Sequence, residues 1–526
     1  MRSVASTGSA LGWADTLAGH WLLPALVAVP LGVALLLLVV RRIPDDVAVR
    51  VAAVAAGATF GLAALGALAA APYRGGGVGL SVSWSWIPAL GVSFHLGLDG
   101  VSAPLVLLTA LLGVLVTVHL VRVRPEAGPP RALAGCYLAV VGGALLTFTA
   151  LDVIVFFLAF EIVLIPMWFV IAGWGDDHQA AARGRPGGEQ ARREAANRFI
   201  LYTALGSAVM LLGLLLVALR TGTTDVVALS QLAGKGLGGG VQSTAAVLIV
   251  LGLAVKAPAF PLHSWLPPAH TIAPTGGSVL LAGVLLKMGT YGIVRLAVPV
   301  VPEGVRTIAP VLALMGVAGV LWAGLACFVE TDLKRLIALS SVAHMGFVLL
   351  GIAALTPQGL QGALFANVAH GLITGLLFLV VGAIKDRHHS ADLTAVGSGL
   401  RDRVPRLGWL LAFGAIAGLG LPGLAGFWGE LLAIVGVWDA PALENLSRPL
   451  AVAGAVGTVV AAAYLLRVLR TVWHGPRPAT PRFIGDATPH EVAVAAPLVV
   501  STVALGLLPW LLLGVTGPAV RLLLGV

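Results

Sequence analysis

Four charged side chains lie in the middle of long apolar runs: Glu161, Lys256, Lys287 and Glu430. A charge at the centre of a membrane helix costs about 2.5–3.5 kcal/mol on insertion scales, so such residues usually mark ion pathways or proton relays. A buried carboxyl group and a buried amine also form a coupled pair, in which each charge decides whether the other is protonated. The four residues therefore predict proton transfer inside a membrane. The alternative is that they are paired only for packing.

Histidines could bridge the gaps between these charges. His263, His270, His344 and His370 lie in or at the ends of apolar runs. An unperturbed imidazole pKa of about 6.5 suits proton shuttling, although a lone histidine is as often a hydrogen-bonded structural group. His119 lies near a predicted helix end, where a structural role is favoured.

Other polar residues have simpler interpretations. Asp99 and Asp152 lie at predicted helix starts, where N-capping is a sufficient explanation. Asp332, with Lys334 and Arg335, indicates an inside-facing loop.

The composition defines the class of protein. Hydrophobic residues make up 58% of the 526 residues, charged residues only 10%, and the mean hydropathy is +0.99. These values exclude a soluble globular domain and a disordered chain, and they predict an all-α polytopic membrane protein. Runs long enough to cross a hydrocarbon core, roughly 20 residues each, predict about fourteen helices in a single domain, 1–526, near 21–40, 51–71, 101–121, 131–150, 153–173, 199–219, 245–262, 276–298, 308–328, 336–354, 360–384, 407–437, 450–472 and 492–515.

The net charge of +9 follows membrane topology. Arginine clusters occur in every second loop, beginning with Arg41 and Arg42 after the first run, which has no cleavage site and is expected to be retained. The positive-inside rule then places both termini outside. Nucleic-acid binding is a poor explanation, because the basic residues are split among short loops without interleaved aromatic residues. Cys136 and Cys327 both fall within predicted helices and cannot build a metal or iron–sulfur cluster.

Two predicted spans are interrupted. Pro258 and Pro261 break the seventh span just after Lys256, and the Pro422-Gly423 pair breaks the twelfth just before Glu430. Broken helices at corresponding positions of two halves are typical of inverted-repeat transporters. We therefore expect two inverted five-helix repeats, spans 4–8 (131–298) and 9–13 (308–472). A Gly-rich alternating stretch, Gly75 to Phe94, predicts a short hairpin.

Several motifs resemble those of the antiporter-like membrane subunits of respiratory complex I, NADH-quinone oxidoreductase. The resemblance implies that Glu161 and Lys256 are paired in an input half-channel, that Lys287 is the central relay, and that Glu430 is the output-side residue. It gives His263, His344 and His370 as connecting positions. One branch of the family carries a glutamate at the position of Glu430, whereas others usually carry a lysine. The motifs are Leu98 to Ser102, Val255 to Thr275, Thr331 to Ala338, Ser340 to Phe347 and Gly426 to Glu430.

The same resemblance implies a proton-translocating subunit in the bacterial inner membrane, surrounded by lipid and beside other complex I subunits, chains L and N. We find no nicotinamide, flavin or cysteine-cluster motif, so we expect no cofactor on this chain; NADH, FMN, iron–sulfur clusters and quinone belong to partner subunits. The alternatives are a subunit of an Mrp-type sodium/proton antiporter and the membrane subunit of a hydrogenase or formate complex. One departure is Pro268, which replaces the family's usual acid beside His270.

Overall fold

The computed structural model describes residues 19–70, 77–125, 127–176, 188–475 and 485–526. Among these residues, thirteen helices are long and apolar enough to cross a membrane. Together with one broken span they occupy the fourteen predicted positions, which confirms the all-α polytopic class. In chain order the spans are α1 (Gly19–Val39), α2 (Asp45–Ala70), α3 (Ala103–Arg122), α4 (Pro130–Thr149), α5 (Val153–Ile162 and Leu164–Trp174), α6 (Glu189–Thr221), α7 (Gly239–Lys256), α8 (Thr275–Ala297), α9 (Pro302–Val329), α10 (Leu333–Ala353), α11 (Pro357–His388), α12 (Pro405–Gly418 and Ala425–Trp438), α13 (Ser447–Val468) and α14 (Pro489–Leu507).

The seventh span breaks where the prolines predict it. Helix α7 ends at Lys256, and helical structure resumes only in the short helix Leu266–Ile272. Proline has no backbone N–H, so Pro258 and Pro261 cannot continue the helical hydrogen bonds. The indole nitrogen of Trp265 donates to the Val255 carbonyl at 2.9 Å, which satisfies one acceptor near the break. The interruption is therefore stabilised by a specific side-chain hydrogen bond.

The twelfth span is interrupted at a pair of glycines. Gly420 and Gly423 adopt φ values of +72° and +93°, a region that side chains rarely tolerate. A Cβ atom on Gly420 would also lie 2.9 Å from Oε2 of Glu430. Glycine is thus required both for the turn and for the position of the Glu430 carboxyl group.

The predicted span 153–173 is present as one span, α5, whose helical hydrogen bonding is irregular at Val163 because Pro166 has no N–H to give to the carbonyl four residues earlier. The structure differs from the prediction at the last span. There α14 ends at Leu507, and a further helix, α15 (Trp510–Leu524), begins after Pro509. The chain therefore continues as a helix beyond the fourteenth span. The inverted repeats stay a prediction.

The predicted hairpin is present on the loop between α2 and α3. Strands β1 (Leu80–Ile87) and β2 (Val92–Leu98) pair antiparallel, with Trp84 opposite Phe94. Nδ1 of His95 lies 2.6 Å from Oδ2 of Asp225 in the loop after α6. This contact ties the hairpin to the loop that precedes the short helix Val226–Leu232.

Four spans form the centre of the molecule. Helices α4, α8, α10 and α11 are almost entirely buried, and the other spans surround them. Lys287 lies on α8, His344 on α10 and His370 on α11. The fold therefore brings these candidates together in its interior.

Candidate proton-transfer site

Lys287 is fully buried at the centre of α8. Its ammonium group lies 2.5 Å from the Ala282 carbonyl and 2.5 Å from Nδ1 of His370. A charged lysine has only donors, so it donates to Nδ1, and the proton of the neutral imidazole is then on Nε2. Nε2 of His370 has no hydrogen-bond partner among the described residues. The His370 ring can therefore pass a proton onward.

The helix around Lys287 is irregular. Segments of π-helix cover Leu281–Leu285 and Ile293–Ala297, on either side of the regular turn that carries Lys287. Such segments are rare and are frequent at functional sites. The carbonyl that binds the Lys287 ammonium, that of Ala282, belongs to the first of them.

His344 connects His370 to Glu430. The two imidazole centroids are 5.7 Å apart. Nδ1 of His344 faces the Ser340 carbonyl at 2.7 Å, while Nε2 lies 3.2 Å from the Gly418 carbonyl and 3.6 Å from Oε1 of Glu430. Both nitrogens therefore face acceptors, an arrangement that suits an imidazolium.

Glu430 ends this row in a confined space. It is buried, and its Oε2 accepts a hydrogen bond from Thr458 at 3.2 Å. A cavity of about 30 Å³ is lined by His344, His370 and Glu430. This volume is enough for a single water. We call the four residues Lys287, His370, His344 and Glu430 the central row.

Glu161 and Lys256 lie near each other but are not joined by a hydrogen bond. Lys256 is buried, its ammonium group lies 4.8 Å from the centre of the Phe160 ring, and it interacts electrostatically with Glu161. Among the described residues, neither Oε1 of Glu161 nor the Lys256 ammonium has a hydrogen-bond partner. The aromatic ring stabilises the charge by a cation–π contact.

His263 occupies a different environment. Its ring stacks on Phe260 at 5.5 Å and packs against Trp322 at 4.6 Å. Nδ1 of His263 has no hydrogen-bond partner among the described residues. The structure therefore brings together four of the seven candidates and places Glu161, Lys256 and His263 apart from that row.

An ion pair that the sequence did not reveal lies on the other side of Lys287. Arg295 and Asp99 are buried and 2.6 Å apart, although Asp99 was expected only to cap α3. The Arg295 guanidinium also donates to the Tyr291 hydroxyl, which donates to the Phe148 carbonyl. Burial raises the pKa of Asp99, but the Arg295 guanidinium and backbone hydrogen bonds outweigh it and hold that pKa below its usual value. Nothing local in the sequence joins two residues 196 positions apart.

We expect Asp99→Asn to lower the free energy of unfolding by about 3–5 kcal/mol, because it leaves the Arg295 charge buried and unpaired. Thermal unfolding of the purified protein in detergent measures this loss. The unfolded pKa of an aspartate is about 3.9, so the stabilisation is complete above that pH and disappears as the pH falls through the lower folded-state value.

Asp46→Asn is the matched control. The Asp46–Arg124 pair is solvent-exposed, so its loss should cost about 1 kcal/mol or less. Equal unfolding midpoints for the two variants would show that the buried pair contributes no more to stability than the exposed pair.

The fold and the central row define a class: polytopic membrane proteins of the antiporter-like type, with an ionisable row across the membrane interior. The chain belongs to the family described as NADH:quinone oxidoreductase/Mrp antiporter, TM, whose model matches residues 150–448.

Two relatives are similar along most of their length. NADH-quinone oxidoreductase subunit M of Rhodobacter capsulatus is 37% identical over 83% of this chain and 82% of its own. NAD(P)H-quinone oxidoreductase chain 4 1 of a Synechococcus strain is 38% identical over 82% and 79%. These matches agree with the branch of the family that Glu430 indicates.

Solved structures share the fold. A chain of respiratory complex I from Thermus thermophilus has a TM-score of 0.82 and 29% identity, covering 96% of this chain and 99% of that one. A chain of the Mrp complex from Dietzia has a TM-score of 0.81 and 24% identity, over 95% and 97%. The second likeness shows the fold alone.

Proposed function

We propose that this chain is the M-type proton-translocating subunit in the membrane arm of a bacterial NADH-quinone oxidoreductase. The observation that carries the proposal is the central row, in which a buried lysine, two imidazoles and a buried carboxyl group follow one another within the membrane interior. Buried ionisable groups are costly, and a scaffold would not need a row of them.

The geometry supports a stepwise transfer. The Lys287 ammonium gives a proton to Nδ1 of His370, and the ring releases its Nε2 proton towards His344. Nε2 of His344 first gives its proton to the Glu430 carboxylate, directly or through one water in the small cavity, and the neutral ring then takes up the proton from His370. Each step breaks one N–H bond and forms one N–H or O–H bond, so only a proton moves.

Glu161 and Lys256 serve as the input pair in this proposal. A charged Glu161 favours a charged Lys256, and protonation of the carboxyl group lets the amine release its proton. The contact of the ammonium with the Phe160 ring leaves its donors free. His263 would connect this pair to the centre as its side chain moves.

The driving energy comes from partner subunits in this proposal. NADH, FMN, iron–sulfur clusters and quinone would act there, since a similar chain is named as one subunit of an NADH-quinone oxidoreductase and a similar solved structure is a respiratory complex I with bound NADH. Exposed apolar side chains on α1, α6 and α13, including Leu35, Leu201 and Val459, suit contact with lipid or with neighbouring subunits of the L and N type.

The orientation follows from the basic loops. Arg335, Arg387 and Arg467 lie at one end of the bundle, where α10 begins and where α11 and α13 end. We call this the arginine-rich end. The positive-inside rule assigns it to the cytoplasmic side of the inner membrane and both termini to the outside.

The assignment to an oxidoreductase is tested by tagging the chain and extracting it in mild detergent. We expect NADH:quinone oxidoreductase activity to migrate with the tag on a native gel. A tagged chain that migrates without this activity and confers sodium/proton exchange on vesicles would favour the antiporter alternative. Migration with hydrogenase or formate dehydrogenase activity would favour the third.

A further inference from the structure

A polar cavity of about 320 Å³ opens near the arginine-rich end. Its lining includes charged residues from α6, α10 and α11 and from the end of α5, together with the Pro274–Thr275–Gly276 start of α8. The cavity is large enough for several waters. The charged lining residues are Arg124, Asp176, Arg192, Lys334, Lys385 and Asp386, and His119 also lines the cavity.

Lys334 is the most buried of these charged residues. Its exposure is only 2%, although the sequence predicts an inside-facing loop. Its ammonium group donates to the Ala273 carbonyl and lies 3.5 Å from the Thr271 carbonyl. Thr271 lies at the end of the short helix Leu266–Ile272, and Ala273 lies in the connection from that helix to α8. A lysine that lines the cavity is therefore held against the broken seventh span.

His270 lies in the interior beside this connection. It is fully buried, and its ring stacks on Phe378 with centroids 4.7 Å apart and an interplanar angle of 3°. Neither ring nitrogen has a hydrogen-bond partner among the described residues. The ring interacts electrostatically with both Lys334 and Lys287. A buried imidazole with two free nitrogens is costly and calls for a physical explanation.

Helix α11 shows where this ring lies along the membrane normal. His370, Thr374 and Phe378 follow one another at intervals of four and so share a face. At 1.5 Å per residue, Phe378 lies about 12 Å from His370 along the helix, and Lys385 about 10 Å further on. His270, stacked on Phe378, therefore lies between the cavity and the central row.

We propose that Lys334 and His270 form a proton-loading branch from the arginine-rich end to the central row. This inference rests on the proposed function and adds two residues to it. The Lys334 ammonium releases a proton, through water, to a free ring nitrogen of neutral His270. The resulting imidazolium releases a proton towards the neutral amine of Lys287, and the Lys334 amine takes its next proton from the cavity. One N–H bond forms for each that breaks.

The branch is distinct from the Glu161–Lys256 pair. Lys256 lies before the break in the seventh span, whereas His270 lies beyond it and Lys334 contacts the backbone beyond it. Because protons would reach the central row by two routes, we expect the loss of the branch to slow proton uptake without abolishing it.

The test uses the assembled complex in inverted membrane vesicles, whose outer medium bathes the arginine-rich end. His270→Phe keeps a ring stacked on Phe378 but removes both nitrogens, and Lys334→Met keeps the length of the side chain but removes its proton. We expect each to lower the acidification rate per NADH oxidised by about tenfold, less than the 10²-fold or more typical of an indispensable proton-transfer group. The rate should fall further as the medium pH rises, because uptake then becomes limiting.

Lys334→Arg tests rescue, since it restores the charge and the donors but releases protons poorly. It should recover normal amounts of complex on a native gel while its acidification stays low. Wild-type acidification at every medium pH in both His270→Phe and Lys334→Met would overturn the branch. Loss of acidification that only follows loss of assembled complex, and that Lys334→Arg restores fully, would also overturn it in favour of a structural role.

Lys287→Met, measured in the same vesicles, separates this inference from the proposed function. If Lys287→Met stops acidification while His270→Phe and Lys334→Met do not, only the branch fails. If Lys287→Met also acidifies normally, the proposed function itself fails.

Discussion

Lys287→Met is expected to abolish NADH-driven acidification by the complex, with a loss on the order of 10²-fold or more. Methionine has nearly the same length and fills the same space, so packing around α8 should persist. It has no proton to give to Nδ1 of His370, which is the first step of the central row. Acidification of inverted vesicles, compared with NADH oxidation in the same sample, measures the loss.

Lys235→Met is the matched control, because Lys235 is exposed in the loop before α7. Native gels should show equal amounts of complex for both variants. Unchanged acidification in Lys287→Met vesicles would remove the central lysine from the mechanism, whatever the fate of the other residues.

The membrane spans were predictable because few backbone conformations are stable in the hydrocarbon interior of a membrane. Backbone groups in lipid must be satisfied internally, so long apolar runs become helices. The breaks at Pro258 and Pro422 followed from missing N–H groups for the same reason. The irregularity at Val163 was not predicted, although the span 153–173 was, since hydropathy does not register the N–H that Pro166 lacks.

The individual residues of the central row could be predicted from the sequence, but the order in which they contact one another could not. Its members attract attention because each is ionisable in an apolar setting. The contact of Lys287 with His370, 83 positions apart, depends on the packing of α8 against α11. The Asp99–Arg295 pair likewise depends on the packing of distant segments. So does the burial of Lys334, whose ammonium group donates to the Ala273 carbonyl 61 positions away.

The two π-helical segments of α8 flank the turn that carries Lys287. The ammonium group is held by a carbonyl of its own helix and by an imidazole of α11. At the other end of the buried part of α8, Arg295 is anchored by Asp99. The irregular helix is thus fixed on both sides of the lysine, which keeps the proton donor and its acceptor within hydrogen-bonding distance.

Glu430→Gln should be nearly as damaging as the loss of Lys287, because the row would then end on a side chain that cannot accept a proton from His344. Glutamine has the same size and can still accept the hydrogen bond from Thr458, so the turn at Gly420 should keep its geometry. We expect acidification per NADH oxidised to fall on the order of 10²-fold. Vesicle acidification at matched amounts of complex measures it.

Glu430→Asp and Glu444→Gln complete this test. Aspartate keeps the acid but is one methylene shorter, which lengthens the 3.6 Å separation from Nε2 of His344, so partial activity is expected. Glu444 is exposed, and its substitution should change nothing. If Glu430→Gln and Glu444→Gln acidify equally, protons leave the row before Glu430, and His344 must be its last member. If Glu430→Asp is intermediate, transfer depends on the distance to the carboxyl group, as a proton-accepting role for Glu430 requires.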